Sequence, residues 1–515
     1  MHIEYISHSC FLVRCGNKRI LFDPWLIGGT YDNAWHLWPL PSKTPAETNP
    51  DIILISHGHE DHLNRKTLNE LNKKAKVFFP FQWRGGITTF LKQLGFNYFT
   101  EAINFKTYMV EDIEITFAGF SLESVIIIKH GNRVLVNIND ALNSNHENAS
   151  NFLLKEIKKR WPKIDYLLSG WSGAGYFPNQ IRYKGKDDIQ IAKLREQYFA
   201  NNFCVYTKYL QPKFSLPIAP GFVLLAEENQ WINHIKFKRT KLSEYYKKHF
   251  EYNTNVAIVV LNPGDSLNEE TTVLNSGLTE ISEETSYNDA YSYYSKELNA
   301  ENAKLFLTEV QINELIEKLN YWINYNKQIY EKVVLQDSTF SIHLLDVKVE
   351  PYLNIIWEKA SFVIKRAQHT IKERKVLIHT YGRKLNLCLS REWGGDIITS
   401  GYALKVEIYD TLSLERNLDI VCVRLITRYP LARKDLRRFP LRALKFYLSS
   451  PKSTGLWLKQ KWTLKPYVNK YPFNERDHWI TYNKCELCKV CKMPEVDQKL
   501  FHPQDTSAHL SLLFD

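Results

Sequence analysis

The chain has 515 residues, 44% of them hydrophobic and 24% charged, and carries a net charge of +11 at neutral pH. That length exceeds one ordinary hydrophobic core, so two or three domains are expected, and the composition excludes wholesale disorder. The start Met-His-Ile-Glu-Tyr-Ile lacks the basic and apolar stretches of a signal peptide, and no apolar run is long enough to span a membrane.

Eight cysteines spread over the chain do not resemble a disulfide framework, so a cytoplasmic protein is expected. The positive charge leans weakly toward an acidic partner, either nucleic acid, a phosphorylated metabolite or an anionic surface. Short apolar runs predict strands at Ile3–Ser7, Phe11–Arg14, Arg19–Phe22, Ile52–Ser56, Val77–Pro80, Ile113–Ala118, Val125–Lys129 and Val134–Ile138. Between them, Arg65–Lys73 and Thr88–Leu94 have helical character, and a strand at Tyr166–Ser169 precedes a helix near Ile189–Tyr209. Many strands with interspersed helices predict an αββα layered domain over 1–255.

A polar and helical connector is expected over 256–335, with apolar residues at helical spacing from Asn302 to Val333. A smaller α+β domain over 336–450 follows, with candidate strands at Phe340–Leu345, Val376–Ile378, Ala403–Ile408 and Ile420–Ile426. An extension over 451–515 closes the chain. Basic runs at Arg433–Arg442 and Lys236–Lys241 read mainly as solvated surface, with phosphate, nucleic acid or a protein partner as the alternative.

The segment Ser-His-Gly-His-Glu-Asp-His at 56–62 carries the chemistry. It follows an apolar strand directly, and residues two apart in extended chain project to the same side, so His57 and His59 can reach one metal ion together. After the turn, Asp61 and His62 can face an adjacent position. Imidazole and carboxylate ligands suit zinc, iron or manganese, and a divalent ion lowers the pKa of bound water toward neutrality. Asp140 ends the strand in Val-Leu-Val-Asn-Ile-Asn-Asp, where a carboxylate can bridge two metals. Asp23, in Leu-Phe-Asp-Pro-Trp, better suits holding a histidine ring than binding metal itself.

These features resemble the metallo-β-lactamase superfamily. HSCFLV at 8–13, LFDPWLIGG at 21–29, ISHGHEDHL at 55–63, LLSGWSGAGYFP at 167–178 and LQPKFSLPIAPGFV at 210–223 occur in that order. They resemble the non-Rieske catalytic portion of the CMP-N-acetylneuraminate hydroxylase family. The resemblance implies an iron-dependent monooxygenase acting on a nucleotide-linked sugar, with electrons delivered through a Rieske cluster. No Cys-x-His…Cys-x-x-His pair occurs in this sequence, so no Rieske module is expected and electrons would come from elsewhere. The family's third metal histidine should fall just before 125–129, where residues 119–124 read Gly-Phe-Ser-Leu-Glu-Ser. Its Asp in the Gly-rich segment is replaced by Gly170 or Trp171. The implied site therefore holds one ion, or is completed by Glu123 or by His8.

Near the C-terminus Cys485, Cys488 and Cys491 stand at Cys-x-x-Cys-x-x-Cys spacing. Such thiolates can bind one zinc or an iron–sulfur cluster if a fourth ligand, such as His478 or His502, joins them, or they can remain unliganded.

Three functions are therefore expected in order. The first is an iron oxygenase of a nucleotide-linked sugar or similar anionic small molecule, supplied by a redox partner or the cysteine cluster. The second is a metal-dependent hydrolase of a phosphodiester, ester or lactone, nucleases included. The third is a degenerate site kept as a binding or regulatory module.

Overall fold

A computed structural model describes residues 1–458, apart from 83–85, 120–122, 143–146, 176–178, 184–187, 251–254, 269, 271, 274–282, 304, 331, 410–417, 430–436, 450, 452–453 and 456–457. Cys485, Cys488 and Cys491, with His478 and His502, lie outside the described residues, as do 433–436 of the basic run Arg433–Arg442.

Two sheets face one another in the N-terminal half. The first runs Thr272–Val273, Ser266–Leu267, His2–Ser7, Cys10–Cys15, Lys18–Phe22, Ile52–Leu54, Lys76–Pro80, Phe99–Ala102. The second runs Ala257–Ile258, Phe214–Ile218, Tyr166–Gly170, Arg133–Asn139, Val125–His130, Ile113–Ala118, Thr107–Val110. Each sheet contains an antiparallel meander continued by parallel strands (Phe22 opposite Leu54, Leu135 opposite Tyr166).

Strands covered on both faces need apolar residues at successive positions, which is why Val125–Ile128 is continuous rather than alternating. Ile126, Ile128 and Leu135 point between the sheets, alongside Phe22 and Leu54. Val125, Ile127 and Val136 point outward beneath Leu153, Ile157 and Phe203 of the helices Glu147–Arg160 and Asp188–Leu210. On the opposite side, Ile53 and Val77 pack under Leu68, Ile87 and Leu91 of Arg65–Glu70 and Gly86–Gln93. The expected αββα sandwich is thus present, followed by the expected smaller α+β part.

That part has a six-stranded sheet in the order Ile181–Tyr183, Leu404–Ile408, Val376–Thr380, Phe340–Leu344, Tyr352–Glu358, Ser361–Ala367. Its first strand comes from the N-terminal half and pairs in parallel, with Ile181 opposite Val406. Helices Glu309–Asn326, Gly382–Ser390 and Leu418–Ile426 bury Leu315, Leu385 and Val421 with Ile342, Ile378 and Val406.

The last of these helices replaces the strand expected at 420–426. Six of its nine residues are buried hydrophobics, so enclosure erases the 3.6-residue period and leaves a Val- and Ile-rich run that reads as strand. The run Lys236–Lys241 is also not wholly solvated surface: Lys236 and Arg239 are buried, and Arg239 donates to Leu261 O at 2.9 Å and Asn262 Oδ1 at 2.6 Å.

The C-terminal part rests on the loop after Asp23. Lys384 Nζ lies 2.8 Å from Asp32 Oδ2, and Trp35 Nε1 donates to Ser400 O at 2.9 Å. Among the described residues no helix is long and apolar enough to cross a membrane.

Candidate metal centre

The site forms where strands of both sheets end. Ile52–Leu54 delivers His57, His59, Asp61 and His62, and Arg133–Asn139 delivers Asp140. The pairing of the latter with Tyr166–Gly170 slips between Asn137 and Asn139, and Asn139 has φ 48°; this irregularity re-aims the chain just before the carboxylate.

His57, His59 and Asp140 bring ligand atoms within 4.8 Å of one another, and so do His8, Asp61 and His62. His57 Nε2 is 2.8 Å from His59 Nδ1 and 3.8 Å from Asp140 Oδ2. His62 Nε2 is 3.0 Å from Asp61 Oδ2 and 3.4 Å from Asp140 Oδ2. Asp140 therefore stands between the two groups. The structure brings together all five residues singled out from the sequence.

The hydrogen bonds behind His57 fix which of its nitrogens carries the proton. Asp23 is fully buried and accepts from Ser56 N at 2.7 Å, Ser56 Oγ at 2.8 Å and Asn139 Nδ2 at 2.6 Å. Ser56 spends its only hydroxyl proton on Asp23, so His57 Nδ1, 2.9 Å from Ser56 Oγ, must be the donor in that contact. His57 Nε2 then keeps its lone pair and faces Asp140. His62 Nδ1 lies 3.1 Å from Asn139 Nδ2 and 3.3 Å from Asp23 Oδ2, while its buried Nε2 makes no hydrogen bond of good geometry among the described residues. The His57 Nε2 lone pair and the otherwise orphaned His62 Nε2 converge on carboxylates, an arrangement that fits a divalent cation.

His8 behaves differently. It occupies the turn between the first two strands at φ 42°, and its Nδ1 accepts the Gly221 N–H at 2.8 Å. Only glycine fits at 221, because a Cβ there would come within 2.9 Å of His8 Cα. A neutral ring that accepts at Nδ1 carries its proton on Nε2, which donates to Asp61 Oδ2 at 3.1 Å. His8 thus faces Asp61 as a donor. Glu123 lines the same cavity as His59, Asp61 and Asp140, and its charge supports that of His59.

Burial, then the charges of His62 and His59, hold His57 well below its ordinary pKa, so it is neutral. Burial opposes charge on His62 too, but the surrounding carboxylates of Asp61, Asp140 and Asp23 outweigh it and hold that pKa well above 6.5. Burial likewise opposes charge on Asp61, and His62 and His8 overcome it to hold the carboxyl well below its ordinary value.

Three residues escaped the sequence reading. Tyr31 Oη donates to Asp61 Oδ1 at 2.6 Å; it begins a run, with Asp32 and Asn33, of three residues at positive φ, a strain that sequence hints at only through Asp-Asn. Asp396, far along the chain in Trp-Gly-Gly-Asp, is the strongest charge supporting His59 and is itself raised by burial. Arg195 lines the cavity beside the cluster, a space of about 400 Å³ that Thr399, Ser400 and Ile420 also line.

Residues 2–149 match the family described as beta-lactamase superfamily domain. The N-terminal part of this chain has the metallo-β-lactamase fold. Cytidine monophosphate-N-acetylneuraminic acid hydroxylase of Danio rerio is 24% identical over 270 residues, which is 48% of this chain and 43% of that protein. The Homo sapiens protein, described as inactive, is 25% identical over 288 residues, 52% of this chain and 54% of that one. The chain spans about half the length of the curated relatives it matches. Among solved structures, CmlA, a diiron beta-hydroxylase from Streptomyces venezuelae, aligns at 16% identity and TM-score 0.32, over 50% of this chain and 52% of that one. The metallo hydrolase Igni18 of Ignicoccus hospitalis aligns at 16% identity and TM-score 0.31, over 52% of this chain and 97% of that one.

Proposed function

We propose that this protein is a metal-dependent enzyme, an iron oxygenase that hydroxylates a nucleotide-linked sugar or a similar anionic small molecule. The observation that carries the metal reading is the convergence of His57, His59, Asp61 and His62 on Asp140, with two rings oriented by Asp23. His57, His59 and Asp140 would hold one ion; Asp61 and His62, sharing Asp140, would hold a second. Three imidazoles with two carboxylates suit iron as well as zinc, and bound iron supplies redox activation of dioxygen. The hydroxylase relatives support choosing oxygenation over hydrolysis.

The chain's own residues orient and protect this chemistry. Asp23 fixes Ser56, which accepts from His57 Nδ1, and Asp23 and Asn139 flank His62 Nδ1, so both rings stay turned toward Asp140. Burial and the Asp61 charge hold Tyr31 well above its ordinary pKa, so its hydroxyl remains a donor to Asp61. His8 donates to the other oxygen of the same carboxylate. Thr399, Ser400 and Ile420 contribute to the wall of the same cavity. Electrons would come from a redox protein or from a cluster at Cys485, Cys488 and Cys491, in the cytoplasm.

The test is dioxygen uptake by iron-loaded protein with a chemical reductant and CMP-N-acetylneuraminate. Substrate-dependent uptake with a product one oxygen heavier is expected. Turnover of a phosphodiester or lactone under anaerobic conditions, without uptake, would move hydrolysis to first place.

A further inference from the structure

Arg195, on the helix Asp188–Leu210, lines the cavity beside the histidine–carboxylate cluster yet is only 2% exposed. Its Nη2 donates to Ala174 O at 2.9 Å, and its guanidinium lies 4.8 Å from the Phe199 ring centre. Gly173 presses on the same group so closely that a Cβ at 173 would overlap it. Backbone and ring therefore hold the planar fork in the cavity wall.

Lys236 is a second buried cation, 5% exposed, whose Nζ makes no hydrogen bond among the described residues and sits 4.4 Å over the Phe222 ring. The other face of Phe222 is stacked on Trp35 with ring centres 3.8 Å apart, and both rings line the cavity. Burial lowers the Lys236 ammonium to about 8, with Glu196 supporting its charge and Arg195 opposing it. Glu196 accepts from Ser172 Oγ and from Phe237 N at 3.4 Å through Oε2, while its buried Oε1 has no hydrogen bond among the described residues.

Arg195 and Lys236 thus set two buried cations against the buried carboxylate of Glu196, which leaves net positive charge out of water in the cavity wall and behind Phe222. Such charge is unfavourable unless a partner neutralises it. The planar fork of arginine suits the two oxygens of an oxyanion.

We propose that Arg195 forms an oxyanion subsite, reinforced by the charge of Lys236 behind Phe222, which holds a carboxylate or phosphate group of the substrate in the cavity beside the metal-ligand cluster. The identity of the reacting end rests on the proposed function; the anion preference does not.

Calorimetric titration of the full-length protein as purified tests it in two arms. N-acetylneuraminic acid is compared with its methyl ester, and cytidine 5′-monophosphate with cytidine. In at least one arm the anion should bind about tenfold or more tightly than its neutral counterpart, as loss of a charge-assisted contact predicts. The arm that shows the preference identifies carboxylate or phosphate as the source.

Arg195→Gln should reduce that preference to about twofold or less, while Arg195→Lys retains part of it. Lys236→Met keeps the volume, removes the charge and should narrow the preference by about threefold or more. Any anion affinity due to bound metal is common to all variants, so the change between variants is the readout. Absence of a preference in both arms, or an undiminished preference in folded Arg195→Gln, overturns the subsite. If Arg195→Gln fails to fold, an undiminished preference in Lys236→Met does so. A protein without oxygenase activity can still show the Arg195-dependent preference, so failure of one reading is separable from failure of the other.

Discussion

Replacing Asp23 with asparagine alters no volume and removes one charge, yet it should disturb the metal centre through rings that Asp23 orients. The Ser56 N–H at 2.7 Å keeps an acceptor at the Oδ1 position, so the new amide nitrogen takes the place of Oδ2. There it meets the Asn139 amide, 2.6 Å from the original oxygen, donor against donor. It also donates to Ser56 Oγ, whose proton then turns to His57 Nδ1. That reversal moves the His57 proton to Nε2, where the lone pair would bind metal.

A lost charge-assisted hydrogen bond is worth about 1.5–3 kcal/mol and a stranded buried donor about 1–3 kcal/mol, so roughly 3 kcal/mol of stability or more should disappear. Metal affinity should fall roughly 10- to 100-fold, the usual effect of losing a residue that orients ligands. Competition against a chromophoric chelator, with zinc and anaerobically with ferrous iron, measures the affinity; thermal denaturation measures the stability. An Asp23→Asn protein that binds metal as tightly as wild type and melts at the same temperature would refute the proton assignment.

Other outcomes follow from the same contacts. His8→Gln should leave the number of bound ions unchanged, because Gly221 holds His8 as a donor; loss of one ion by elemental analysis would make His8 a ligand instead. Lys236 falls from 10.5 to about 8 on folding, so between those values the unfolded chain binds more protons and stability rises with pH. At about 1.4 kcal/mol per pH unit the rise is about 3 kcal/mol in order of magnitude. Lys236→Met should therefore be the more stable protein at pH 7, with the difference closing toward pH 10.5. Chemical denaturation across that range checks it, and a constant difference would contradict it. Tyr31→Phe removes the donor to Asp61 Oδ1 and should lower turnover more than substrate affinity, read as a fall in kcat with KM little changed.

The local part of the site was legible because one strand and its following turn supply four of its residues. Alternation in the strand and the placement of His57, His59, Asp61 and His62 beyond it depend on neighbouring residues alone. Asp23 was also readable, since a buried carboxylate ending a strand beside such a motif has few other uses. Tyr31, Arg195 and Asp396 were not, because tertiary packing rather than a local period brings them to the cavity. The hairpin Tyr352–Glu358 to Ser361–Ala367 was missed for a different reason. Its two turn residues, Lys359 and Ala360, have φ 45° and 63° without the glycine or asparagine that normally marks such a turn. The strand expected at 420–426 failed because a helix enclosed on most sides loses its amphipathic stripe.

The measurement that tests the central claim most directly is elemental analysis of anaerobically purified full-length protein, as wild type, His57→Ala/His59→Ala and Cys488→Ser. The account predicts iron in wild type, a loss of that iron in the double histidine variant, and its retention when Cys488 is changed. Iron that survives loss of both histidines, or that disappears with Cys488 alone, would contradict the placement of the reactive metal at His57, His59, Asp61, His62 and Asp140.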